Sequence, residues 1–120
     1  MENYKLVRPE HLNHFGYLFG GNLLRWVDEI AWIAATLDFS GCRFVTIGMD
    51  SVEFRRSVRE GSVLRFEVER LKKGRTSVQY AVRVFNEAAG DENKKEIFST
   101  RVTFVNLDEK GVKTGIPPEE

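Results

Sequence analysis

The spacing of apolar residues changes period once along this chain and does not change back. Over residues 22 to about 37 they recur at three and four, so that Leu23, Leu24, Val27, Ile30, Ala31, Ala34 and Leu37 share one face of a helix. Ser40 and Gly41 stop it. Beyond Gly41 the period is two. Residues 43–54 are β-rich, and over 63–71 Leu64, Phe66 and Val68 alternate with Arg65, Glu67 and Glu69. Val78, Tyr80, Val82 and Val84 then alternate with Ser77, Gln79, Ala81 and Arg83, and residues 97–107 make a last strand. Turns fall at Gly61, around Gly74 and in the polar run 88–95. With a short strand at 4–7, the order is strand, loop, helix and four strands. Helix and strands segregated in this way predict an α+β fold with an antiparallel sheet.

The helix carries a second constraint. Trp26, Trp32, Ile33 and Ala35 extend its apolar character most of the way round, and before Asp38 its only charges are Arg25, Asp28 and Glu29. A helix apolar on nearly every side is buried on nearly every side. One sheet covers one side, so the remaining surface predicts a partner subunit and a homodimer, or a larger assembly of dimers.

Composition excludes several classes. The chain has 120 residues, 42% apolar and 30% charged, which suits one folded domain spanning 1–120 rather than a disordered segment. Eighteen basic residues balance eighteen acidic ones, against the net positive charge of a general nucleic-acid binder. The balance is a sum over unlike regions, because residues 55–75 hold eight basic and three acidic side chains. A single cysteine, Cys42, and no zinc-like Cys/His spacing point to a reduced setting, so a cytoplasmic protein without metal is expected. No apolar run approaches the roughly 18 residues of a membrane span, and the N-terminus lacks the apolar core of a signal peptide.

Few residues can carry chemistry. Asp28 lies among Leu24, Val27, Ala31 and Trp32, where an unpaired carboxylate is costly and desolvation favours the general-base range; a buried salt bridge accounts for it equally well. Glu29 stands four residues after Arg25 and can pair with it. The Phe19-Gly20-Gly21-Asn22 step leads into the helix, whose first N–H groups lack intrahelical partners and can polarise a carbonyl; a tight loop-to-helix turn is the plainer alternative. Asn13, in the loop before it, could orient water or a carbonyl, or simply satisfy its own turn. His11 and His14 have no neighbouring nucleophile and are expected to be loop residues, and Cys42 a structural thiol. Arg55, Arg56, Arg59, Arg70, Lys72, Lys73 and Arg75 form a basic stretch able to hold phosphates, with no Walker-type or dinucleotide glycine motif.

The string R-P-E-H-L-N-H-F-G-Y-L-F-G-G-N-L-L-R-W-V-D-E, then V-T-I-G-M-D-S-V-E-F, G-R-T-S-V, T-F-V-N-L-D and I-P-P, resembles the hotdog-fold acyl-CoA thioesterases of the cytosolic acyl-CoA hydrolase type. The resemblance runs from Val7 to Pro117, and it implies a long helix wrapped by an antiparallel sheet of about five strands. It further implies hydrolysis of acyl-CoA to a free acid and coenzyme A, without cofactor. Asp28 would be the catalytic base or nucleophile, Asn13 would place the water or thioester, and Gly21 would lie at the helix start that polarises the carbonyl. The Asn and the Asp of one site would come from different subunits of a homodimer, itself assembled into a tetramer or hexamer. Lys73, Gly74, Arg75, Thr76 and Ser77 match the segment that approaches coenzyme A. Asn22 after Gly-Gly and Ser57 after Arg56 depart from the common pattern. A non-catalytic acyl-CoA sensor on the same fold is the alternative, and a hydratase would need an Asp/His arrangement this chain does not show.

Overall fold

A computed structural model describes residues 1–87 and 95–118. The polar loop expected at 88–95 lies, except for Lys95, outside them. The elements are β1 (Glu2–Leu6), a 3-10 turn (Pro9–His11), α1 (Gly20–Asp38), β2 (Phe44–Phe54), β3 (Val63–Lys73), β4 (Ser77–Asn86) and β5 (Lys95–Asn106). The strands form one antiparallel sheet in the order β1-β3-β4-β5-β2. The α+β reading therefore holds, and the helix lies on one face of the sheet in the hotdog arrangement.

The alternation in the sequence maps onto the two faces of the sheet. Leu64, Phe66, Val82, Val84, Phe98, Val102 and Phe104 are almost wholly buried on the inner face. Against them α1 sets Leu23, Trp26, Val27, Ile30, Ala31, Ala34 and Ala35. The alanines let the helix axis approach the sheet closely, while each buried large side chain contributes about 1.5–3 kcal/mol of transfer free energy. On the outer face Arg65 is held by Glu67 and Glu87, which keep its guanidinium protonated beyond the ordinary arginine range, and Arg55 pairs with Glu53 and Glu96 at 2.8 Å.

Three details refine the sequence reading. The helix begins two residues early, at Gly20, because Phe19 rather than Asn22 accepts the first intrahelical N–H bonds. The strand β2 is not beside β3 but at the far edge, paired only with β5, so residues 55–62 carry the chain back across the sheet. The helix buries one face in the protomer and leaves Trp32 and Leu37 exposed.

The edge strand β2 is exposed along most of its length, including Val45, Ile47, Val52 and Phe54. Its register slips between Thr46 and Gly48 and again between Asp50 and Glu53, where Ser51 takes a left-handed φ of 53°. Such bulges twist an edge and re-aim its side chains.

Candidate active site

The loop before α1 is pinned from two sides. Leu18 N–H donates to the carbonyl of buried Val58 at 2.7 Å, and the His11 carbonyl accepts from Phe19 N–H and from Asn22 Nδ2. His11 itself is structural: its Nδ1 accepts the Arg8 N–H at 3.0 Å and its ring meets Trp26 edge-on. His14 stacks on exposed Phe15. His11 thus closes the 3-10 turn, whereas His14 is a loop residue as expected.

Within this loop Asn13 Oδ1 accepts two backbone N–H groups, from Phe15 at 2.9 Å and Tyr17 at 3.1 Å. The modest role allowed for a loop asparagine is thus real, and it has a second effect. With Oδ1 committed as acceptor, the amide Nδ2 remains as a donor that makes no hydrogen bond among the described residues. Asn13 lines a cavity of about 280 Å³ with Tyr17, Gly20, Phe54, Arg56 and Ser57.

The helix start faces the same region. Asn22 and Leu23 N–H groups donate to the Phe19 carbonyl, while those of Gly20 and Gly21 have no partner among the described residues. Two free donors at a helix N-terminus form an oxyanion-binding geometry. A Cβ at Gly21 would lie 2.7 Å from the ring of exposed Phe19, so that ring would have to shift to admit one.

Asp28 is half-buried rather than enclosed, and it is not unpaired: Thr46 Oγ1 donates to its Oδ1 at 2.6 Å. Its Oδ2 has no hydrogen bond among the described residues. Nothing in the sequence singles out Thr46 as a functional residue, since a threonine in a β-rich run reads as ordinary strand propensity; its place in the V-T-I-G-M-D segment is the one signal it carries. Seven residues separate Gly21 from Asp28, about 10 Å along the helix axis. One chain therefore brings Asn13 and Gly20 to one cavity and carries Asp28 further along the helix.

The segment Lys73 to Ser77 forms the β3–β4 turn, closed by Gly74 N–H donating to Ser77 O at 2.8 Å. The C-terminal stretch clamps it through Ile116 N–H to Arg75 O and Asn106 N–H to Thr76 O. The Lys73 ammonium lies over Phe39 at 6.0 Å, near the end of α1, so the turn stands at the opposite end of the helix from Gly21. Arg75, Thr76 and Ser77 side chains make no hydrogen bond among the described residues. Cys42 sits close by; burial pushes its thiol above the ordinary range, with the Lys73 charge pulling the other way. Arg55 is committed to its glutamates, whereas Arg56 is exposed at the cavity mouth. No cluster of three or more His, Cys, Asp and Glu able to hold a metal occurs among the described residues, and no helix there is long and apolar enough to cross a membrane.

The chain belongs to the thioesterase superfamily, whose family model matches residues 15–92. It is 31% identical over 101 residues to mouse acyl-coenzyme A thioesterase 11, covering 84% of this chain and 17% of that protein's length. The chain thus spans a small part of this much longer relative. Among solved structures it resembles a Staphylococcus aureus acyl-CoA hydrolase in complex with butyryl coenzyme A and coenzyme A (TM-score 0.88, 28% identity, 98% of this chain and 71% of that one). It also resembles a hexameric acyl-CoA thioesterase (TM-score 0.88, 32% identity, 98% and 74%). Alanine variants of the Staphylococcus aureus hydrolase have been solved at an asparagine and an aspartate, which stand at the same separation as Asn13 and Asp28 do here.

Proposed function

We propose that the chain hydrolyses acyl-CoA thioesters, with each active site built from two copies. The observation that carries this reading is the split geometry: unpartnered N–H donors and the Asn13 amide at one end of the helix, and a threonine-held carboxylate about 10 Å further along. The exposed edge strand β2 supplies the means of joining them. It runs antiparallel to α1, since Phe54 packs on Gly20, Thr46 on Asp28, and Phe44 on Trp32. Two copies laid edge to edge through β2, about a two-fold axis near its middle, bring Thr46 of one opposite residues 52–54 of the other. Asp28 of each copy then approaches the helix start of its mate.

In that site the thioester carbonyl oxygen accepts hydrogen bonds from the Gly21 N–H and its neighbours, which also hold the developing oxyanion. Asn13 Nδ2 positions the attacking water or the thioester. The partner's Asp28 takes the water proton on its free Oδ2 while hydroxide adds to the carbonyl carbon; collapse breaks the C–S bond, and the thiolate of coenzyme A leaves with that proton. Direct attack by the carboxylate, through a mixed anhydride opened by water, uses the same geometry. The partner's Lys73 to Ser77 turn falls at the end of the dimer where this thioester sits, and its open cations and hydroxyls suit the phosphates of coenzyme A. The hexameric relatives support assembly of such dimers into a higher oligomer.

The test is thiol release from acyl-CoAs of varied chain length by wild type and Asp28→Asn, together with sizing in solution. Hydrolysis abolished by the substitution, in a protein no smaller than a dimer, supports the reading. Absence of hydrolysis in wild type overturns it in favour of an acyl-CoA-binding module.

A further inference from the structure

The cavity beside the helix start has two unlike sides. Its floor is apolar, since Leu23 and Val58 are each 3% exposed and Leu18 packs against the core. Its open side is polar: Arg56 and Ser57 are exposed there, and neither side chain makes a hydrogen bond or ion pair among the described residues. Asn13 and Gly20 line the same cavity, and the Phe54 ring, packed on Gly20, forms a wall at the end of β2.

Groups suited to holding a thioester carbonyl thus share one cavity with an apolar floor. In the proposed dimer coenzyme A leaves the thioester toward the partner's β3–β4 turn, so the acyl group runs the other way, into the chain that supplies the helix start. We propose that this cavity receives the acyl group and restricts turnover to short chains, with Leu23 setting its depth and Arg56 barring its open side. The inference rests on the thioesterase reading above. At roughly 30 Å³ for a water-sized group, 280 Å³ holds about nine such groups, an acyl chain of up to about eight carbons. A longer chain has two ways to go. Downward it meets the buried side chains of Leu23 and Val58. Outward it lays hydrocarbon over the Arg56 guanidinium and the Ser57 hydroxyl, stripping water from polar groups that have no protein partner to replace it.

The experiment measures kcat/KM for butyryl-, octanoyl- and dodecanoyl-CoA in wild type, Leu23→Ala and Arg56→Leu. Wild type is expected to turn over dodecanoyl-CoA at least tenfold less well than octanoyl-CoA. Deepening the floor or replacing the charge with an apolar side chain should each raise the ratio of dodecanoyl to butyryl turnover by about tenfold, the scale on which apolar pocket contacts discriminate. Leu23 belongs to the core, so its variant is read beside Arg56→Leu, which changes an exposed residue and carries the test if Leu23→Ala does not fold. Wild type equally active on all three substrates overturns the inference and leaves the thioesterase reading intact. An equal fall for all three in Arg56→Leu also overturns it, and assigns the arginine to the coenzyme A moiety that the substrates share. Wild type inactive on every substrate removes both readings together.

Discussion

Thr46 Oγ1 donates a 2.6 Å hydrogen bond to Asp28 Oδ1, tying the middle of the helix to the edge strand. The bond orients the carboxylate and leaves Oδ2 without a hydrogen bond among the described residues, as the proposed general base requires. General-base groups contribute roughly 10²–10⁴-fold, so Asp28→Asn should lower kcat by that order with little change in KM. Thr46→Val should cost about tenfold and Thr46→Ser little, as expected for one orienting hydrogen bond. Thiol-release kinetics check this. Wild-type rates in Thr46→Val would show that the bond is merely structural.

A site shared between copies has a signature that a site within one copy lacks. Asn13→Ala and Asp28→Asn, each inactive alone, should recover activity when co-refolded. Random mixing into symmetric dimers restores about a quarter of the sites, because each mixed dimer holds one intact pair. No recovery places both residues of a site in the same chain.

Gly21→Ala would push a methyl group into the Phe19 ring, 2.7 Å away. Phe19 is exposed, so stability should change little. The helix start and its free donors would shift, however, and kcat should fall by about tenfold or more, the effect of disturbing one oxyanion donor. Comparing kinetics with a thermal melt separates the two effects.

Tyr80 is buried on β4 and its hydroxyl donates to Asp38 Oδ2 at 2.8 Å, closing the C-terminal end of α1 onto the sheet. Tyr80→Phe keeps the ring and deletes the bond. Asp38 is exposed and stays solvated, so the loss should be about 1–2 kcal/mol in urea unfolding.

Burial raises the Cys42 thiol above its ordinary range despite the pull of Lys73. The folded chain then holds this proton more tightly than the unfolded one, so stability contributed here is present at neutral pH. It falls as pH rises beyond the unfolded thiol value, about 8.5, and through the higher folded one. Cys42→Ser should flatten the alkaline part of the stability curve, and alkylation of the native thiol at neutral pH should be slow. Rapid alkylation there would contradict the burial effect.

What the sequence discloses, and what it withholds, follows from the range of each interaction. Helical spacing and period-two alternation are local, so α1 and the inner-face residues Leu64, Phe66, Val82 and Val84 are legible from the order of residues alone. The place of β2 is not, because nothing local says that Thr46 stands opposite Phe104 rather than beside β3. Gly20 and Gly21 carry no apolar signal, which is why the helix start reads two residues late. Asp28 is conspicuous as a charge among apolar neighbours. Its partner is not, since Thr46 is an ordinary strand residue until the fold brings it across from the helix.

The exposed edge of β2 also bears on how the protein comes into being. Eleven residues of edge backbone, with Val45, Ile47, Val52 and Phe54 exposed, form a template that any extended chain can add to. In the proposed dimer the mate covers this edge, so a newly made copy stays open to other extended chains until it pairs. Crowded synthesis at low chaperone supply should cost this protein soluble yield, and the two bulges around Thr46 and Ser51 act as gatekeepers by favouring a matching, equally twisted edge over a flat one.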